Sequence, residues 1–187
     1  LFLAERPEGA AGSVVLPSME GTRPIMVEVQ ALVSRSNGGS GRRTAIGADA
    51  QRLALLTAVL EKKQGINLID HDIFLNIAGG IRIDEPALDL GVAAALLSSY
   101  LERPIDAHTV VCGEIGLAGE VRAVGQMEQR LKEAARLGFT RFLLPVAAWR
   151  QVQEQKKPVR GMALVAIANV GELAEALFAA EQYKQIE

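Results

Sequence analysis

Residues 84–93 of the chain read DEPALDLGVA and open a long apolar run that is rich in alanine. Pro86 is acceptable in the first turn of a helix, so the stretch predicts a helix over residues 85–100. This helix is apolar on nearly every side, and we therefore expect it to be buried. A second informative stretch, GEIGLAGEVRAVGQMEQR, occupies residues 113–130 and leads into an amphipathic segment.

Together the two stretches resemble the two halves of the active site of Lon-type serine–lysine proteases. In that family a segment of the form PKDGPSAGV supplies the nucleophilic serine, and a segment that begins with GE and ends in GGxKEK supplies the lysine base. Alignment on Gly91 and Val92 places Asp89 at the serine position, and alignment on Gly125 places Glu128 at the lysine position. The resemblance runs in order from about residue 13 to about residue 180 and implies the fold of the Lon proteolytic domain.

The two aligned acids predict that the site has no catalytic residue. A serine hydroxyl attacks an amide only when a nearby base accepts its proton, and a serine–lysine dyad uses a lysine whose pKa is lowered by burial. Asp89 would form a poor acyl anhydride, and Glu128 beside it would add a second negative charge. The other interpretation is that both are ordinary acids at helix starts, which the helix dipole favours. A functional peptidase remains the enzyme alternative, but Ser98 and Ser99 fall near the far end of the helix, and Lys132 lies about one turn beyond Glu128.

The order of predicted elements gives an α+β fold with mixed α/β layers, in which a β-hairpin region precedes a partly parallel sheet covered by helices. Strands are predicted at 12–19, 25–34, 73–78, 110–117, 139–145 and 162–168, helices at 48–63, 85–100, 126–137, 147–155 and 171–183, and a polar loop at 34–43. Asp49 is the predicted cap of the first helix. The domain boundaries follow as a connector at 1–12, the Lon-like domain at 13–183 and a tail at 184–187.

Composition favours a single domain with an aliphatic core. The chain has 187 residues, of which 49% are apolar and 4% aromatic, and its 20 basic and 22 acidic side chains give a net charge of −2. A nucleic-acid partner would therefore need a local basic patch.

Cys112 is the only cysteine, which excludes an internal disulfide. His71 and His108 are far apart and predict no metal site. A single cysteine fits a reducing cytoplasm, which is the expected location. The chain has no apolar run of about 20 residues, so we expect no membrane partner.

Within the Lon-like proteins, the chain is most similar to the C-terminal domain of the bacterial RadA (Sms) family. The residues that carry this narrower match are EGTRP at 20–24, EVQALV at 28–33, NIAGGIR at 76–82 and GEIGLAGEVR at 113–122. The resemblance implies a longer protein in which a zinc finger binds zinc and a RecA-like ATPase binds ATP and Mg²⁺, with no cofactor in these residues. It also implies branch migration of recombination intermediates, assembly into a hexamer, contact with single-stranded or branched DNA, and a RecA-type recombinase as a further partner. A purely structural oligomerisation domain is the remaining alternative.

Five arginines are the candidate DNA contacts. Arg82 lies seven residues before Asp89, and Arg122 lies six residues before Glu128, so in a Lon-like fold both precede elements that converge on the former active site. Three more arginines crowd the polar loop, namely Arg35, Arg42 and Arg43. Each one alone is as well explained by solvation or by pairing with a neighbouring acid. Repeated around a ring, the set predicts a surface that follows DNA phosphates.

Overall fold

In the computed structural model, which describes residues 3, 5–156 and 159–178, strands and helices alternate along most of the chain. The strands are β1 (Ser13–Glu20), β2 (Arg23–Arg35), β3 (Arg43–Ile46), β4 (His71–Ile77), β5 (Thr109–Val111), β6 (Glu114–Ile115), β7 (Val121–Arg122), β8 (Arg141–Pro145) and β9 (Ala163–Ile167). The helices are α1 (Ala50–Gln64), α2 (Asp89–Leu101), α3 (Met127–Arg136), α4 (Val146–Glu154) and α5 (Leu173–Phe178), with 3₁₀ turns at Pro86–Leu88 and Val170–Glu172. Among the residues that the structure describes, no helix is long and apolar enough to cross a membrane.

Seven of these strands form one mixed sheet in the order β3-β4-β2-β1-β5-β8-β9. The hairpin β1–β2 and the pair β2–β4 are antiparallel, whereas β3–β4, β1–β5, β5–β8 and β8–β9 are parallel. Strands β6 and β7 form a separate antiparallel pair. The predicted hairpin followed by a partly parallel sheet is therefore confirmed.

Helices cover both faces of the sheet, so alternate residues of its central strand enter different cores. Val14 and Leu16 of β1 pack into the larger core, which includes residues of α1, α2 and α5. Val15 points the other way and packs into a smaller core with residues of α3 and α4. Because β1 is buried on both faces, its apolar run is continuous, as is typical of central strands in layered α/β folds.

Three differences between the predicted element boundaries and the structure stand out, besides the helix predicted from residue 85, which begins at Asp89 after a 3₁₀ turn. The polar loop at 34–43 is shorter than predicted, because β2 continues to Arg35 and Arg43 already begins the edge strand β3. The predicted strand at 110–117 is divided into β5 and β6, because the chain turns at Gly113, whose N–H donates to the carbonyl of Ala87 at 3.2 Å. The predicted helix at 171–183 is present as α5 up to Phe178, and its remainder lies outside the described residues.

Candidate functional site

The two stretches that resemble a protease site meet at the start of α2. The N–H of Leu90 donates to the carbonyl of Gly113 at 3.0 Å, so the first turn of the helix is tied to the residue that separates β5 from β6. Gly91 allows this helix to lie close to the sheet, since a Cβ atom there would be 2.6 Å from Cδ2 of Leu16. The start of α2 is thus in contact with the start of the second stretch, whereas α3, which carries Glu128, packs on the opposite face of the sheet.

Asp89 is buried and held by a guanidinium group from another helix. Nε of Arg52 donates to Oδ1 of Asp89 at 2.8 Å, and Nη2 of Arg52 donates to Oδ2. The N–H of Ile115 in β6 donates to the same Oδ2 at 3.0 Å. The hydrogen bonds with Asp89 raise the pKa of Arg52 above its ordinary value, although partial burial of the guanidinium opposes this. The carboxylate therefore joins α1, α2 and β6.

Arg52 reaches Asp89 because Asp49 sets the start of α1. Oδ1 of Asp49 accepts the N–H groups of Gln51 at 2.7 Å and of Arg52 at 3.2 Å, as predicted for the cap residue. Arg52 follows in the first turn, on the side of the helix that faces α2. The sequence argument considered Asp89 and Glu128 as the important pair and did not identify Arg52.

Glu128 occupies a different environment from Asp89. It lies in the first turn of α3, its side chain is half exposed, and it forms an ion pair with Lys132 one turn later at 2.9 Å. Asp89 likewise lies in the first turn of its helix. Both positions agree with the interpretation of these residues as acids at helix starts, but Asp89 is buried and bound by Arg52, whereas the side chain of Glu128 is half exposed.

The two serines nearest to Asp89 in the sequence have structural partners. Oγ of Ser98 accepts the N–H of Gly12 at 2.9 Å and donates to the carbonyl of Arg103 at 2.5 Å. Oγ of Ser99 accepts the N–H of Val33 at 2.9 Å. Both side chains are buried toward the C-terminal end of α2, as the sequence suggested.

A second ion pair, with one buried member, lies near the first and was missed in the sequence. The Nη1 and Nη2 atoms of Arg130 donate to the two carboxylate oxygens of Glu85 at 2.9 Å each, and Nη1 also donates to the carbonyl of Pro17 at 2.7 Å. Burial tends to raise the pKa of Glu85, but its hydrogen bonds with Arg130 and with the N–H of Met19 outweigh burial and lower it. The available signal was helical spacing, which puts Arg130 on the apolar side of α3 with Met127 and Leu131.

The arginines proposed as DNA contacts divide into three groups. Arg82 and Arg122 are exposed and have acidic neighbours, Asp84 at 3.0 Å and Glu120 at 3.9 Å respectively. Arg43 has a structural role, since its guanidinium donates to the carbonyls of Leu68 at 2.8 Å and His71 at 2.6 Å. The exposed side chains of Arg35 and Arg42 form no ion pair with the described part of the chain, and the start of β4 brings both to one end of the sheet.

Comparison with known proteins identifies relatives that cover most of this chain. Residues 43–148 match the family model described as subunit ChlI of Mg-chelatase. The DNA repair protein RadA of Halalkalibacterium halodurans is 52% identical over 145 residues, which are 78% of this chain and 32% of that protein. The DNA repair protein RadA of Bacillus subtilis is 47% identical over 172 residues, which are 92% of this chain and 37% of that protein. The DNA repair protein RadA of Listeria monocytogenes is 50% identical over 145 residues, which are 78% of this chain and 32% of that protein. The chain thus spans about a third of the length of these relatives.

Proposed function

Since this chain belongs to the family that the ChlI model describes and is a Lon-like domain of the RadA type, we propose that it is a non-proteolytic scaffold of a DNA repair protein. The observation that carries this proposal is the ion pair of Arg52 with the buried Asp89, which stands at the aligned serine position. A carboxylate whose two oxygens already accept hydrogen bonds from a guanidinium and from the Ile115 N–H is a weak nucleophile. The pair supports a role in joining elements instead of cleaving peptides.

The finer part of the proposal is that six copies form a ring whose basic side chains contact DNA. The net charge of −2 requires such contacts to be local, and the exposed Arg35, Arg42, Arg82 and Arg122 are the candidates, while Arg43 is a weaker one because it binds backbone carbonyls. Weak sites are sufficient in a ring, because after the first contact each further copy binds the same DNA at a high effective concentration. We extend this to branch migration of recombination intermediates, in cooperation with a RecA-type recombinase.

This proposal places ATP, Mg²⁺ and zinc in other parts of a longer protein, as in the sequence interpretation. The matched residues make up only 32% and 37% of the first two relatives, which supports a longer parent protein. A purely structural oligomerisation domain is the second candidate, and the acidic neighbours of Arg82 and Arg122 favour it, because they reduce the positive potential at these positions.

The test is DNA binding by the full-length protein that carries this domain, measured over a range of salt concentrations together with its native mass. Arg82→Ala and Arg122→Ala should each lower the slope of log affinity against log salt by about 0.7–0.9 for every phosphate that the protein no longer neutralises. Arg136→Ala is the matched control, because Arg136 is an equally exposed arginine with an acidic neighbour, outside the candidate set.

The two parts of the proposal have separate outcomes. A slope that is unchanged in both variants would exclude Arg82 and Arg122 as contacts, and Arg35→Ala and Arg42→Ala would then be measured. If all four variants bind as the unmodified protein does while the native mass is that of a ring, the structural oligomerisation domain is correct. A monomeric mass in the presence of nucleotide and DNA would contradict the ring.

A further inference from the structure

A small cavity lies beside the Arg52–Asp89 ion pair, between the start of α1 and the start of α2. Its volume is about 110 Å³. The inner wall is apolar and consists of buried side chains from three elements and the segment before α2, including Leu53, Leu75, Ile83 and Val92. For comparison, an apolar cavity of about 150 Å³ in another protein accepts benzene. The space here suits a shorter aliphatic group.

Acidic residues surround this apolar interior. The walls include four carboxylates, Asp49, Asp84, Glu85 and Asp89, and one guanidinium, that of Arg52. Glu85 and Asp89 are already bound by arginines. The remaining two, Asp49 and Asp84, are exposed, so the negative charge that is left faces solvent.

Neither exposed acid is strongly neutralised by the protein. Asp49 accepts two helical N–H groups through Oδ1, whereas Oδ2 accepts no hydrogen bond from the described residues. Asp84 pairs with Arg82 at 3.0 Å, but both side chains are more than 60% exposed, and exposed pairs are weak. An apolar interior that is bordered by the exposed carboxylates of Asp49 and Asp84 matches a group that is aliphatic at one end and cationic at the other.

We propose that this cavity binds the aliphatic cation of a lysine-like group, with the methylene chain against Leu53, Ile83 and Val92 and the ammonium near Asp49 and Asp84. The group is either a free alkylamine or a lysine side chain of a peptide segment, since the two share this chemistry. An anionic group is disfavoured, because the one cation in the wall, Arg52, is bound to Asp89. This site shares Asp84 with Arg82, one of the DNA contacts proposed above, but the proposal does not require DNA binding.

The test is a titration of the 187-residue chain with n-butylamine, 1-butanol and butanoate at constant pH and ionic strength, observed by NMR at the methyl groups of Leu53, Ile83 and Val92. We expect n-butylamine to bind more tightly than 1-butanol, and butanoate more weakly than both. Asp84→Asn and Asp49→Asn should each lower the affinity for the amine about two- to fivefold and leave that for the alcohol unchanged. Asparagine at position 49 still caps α1, so this variant should fold.

A variant that fills the cavity provides the second measurement. Ala48 lines the cavity and is buried, so Ala48→Leu should abolish binding of all three probes if it folds. A short peptide with one central lysine, compared with the same peptide containing norleucine, then distinguishes a peptide side chain from a free amine. Equal binding of butanoate and n-butylamine, methyl shifts that persist unchanged in Ala48→Leu, or no shift of these methyls with any probe would overturn the proposal.

Discussion

The buried Arg130 of α3 and the partly buried Glu85, four residues before Asp89, form an ion pair with two hydrogen bonds of 2.9 Å each. Arg52 in α1 binds Asp89 in the same two-bond manner. Two acids of one short segment are therefore bound by arginines from two different helices, one on each face of the sheet. The segment that would carry the nucleophile in a Lon-type protease here connects the two helical layers.

The first prediction concerns the stability that depends on Asp89. Asp89→Ala leaves the N–H of Ile115 without its acceptor and removes two hydrogen bonds from the guanidinium of Arg52, and it should lower the free energy of unfolding by about 3 kcal/mol. This is the lower end of the range for buried pairs, because the side chain of Arg52 is 35% exposed. Urea unfolding at pH 7 measures the change.

The control for Asp89→Ala is Glu128→Ala, which removes the other acid of the aligned dyad. Its exposed ion pair with Lys132 should contribute less than about 0.5 kcal/mol. Equal losses in the two variants would contradict the distinction between the two acids.

The second prediction is that the domain has no peptidase activity. Ser98 and Ser99 are buried and their Oγ atoms are bonded to the backbone, so neither can be presented to a substrate. A serine-directed covalent probe and an unfolded protein substrate should show no labelling and no turnover. Labelling that is abolished in Ser98→Ala or Ser99→Ala would show that one of these serines is reactive.

The sequence predicted the fold well because its elements are periodic and clearly bounded, as the confirmed hairpin and the Asp49 cap of α1 show. It missed β3, since four residues with alternating exposure after a glycine-rich segment give almost no local signal. It also missed Arg52 and Arg130, because each binds an acid at least 37 residues away in the sequence. Ion pairs at such separations are determined by packing of whole elements, which periodicity does not report.

The third prediction compares two glycines with a left-handed backbone. Gly9 has φ of 66° and Gly12 has φ of 88°, so alanine is strained at both. A Cβ atom at Gly9 would enter open space, whereas at Gly12 it would overlap the carbonyl oxygen of Ala31, which belongs to β2. Gly12→Ala should therefore lower the melting temperature clearly more than Gly9→Ala. Equal melting temperatures would mean that the chain can move away from β2 at no cost.

The last prediction is a pH dependence that originates from Glu85. Its pKa in the folded protein lies below the ordinary value of 4.5, because hydrogen bonds from Arg130 and Met19 outweigh the effect of burial. A carboxylate with a lowered pKa contributes stability that is fully present above pH 4.5 and is lost as the pH falls through the folded pKa. Glu85→Gln removes this contribution, so the stability difference between the unmodified chain and the variant should be largest near neutral pH and should shrink below pH 4.5. Urea unfolding between neutral pH and the acid limit of folding measures this difference, with Glu20→Gln, a change at the exposed acid that follows Met19 in β1, as the control. A difference that stays constant as the pH falls would show that Glu85 and Arg130 do not stabilise the fold through the charge of the carboxylate.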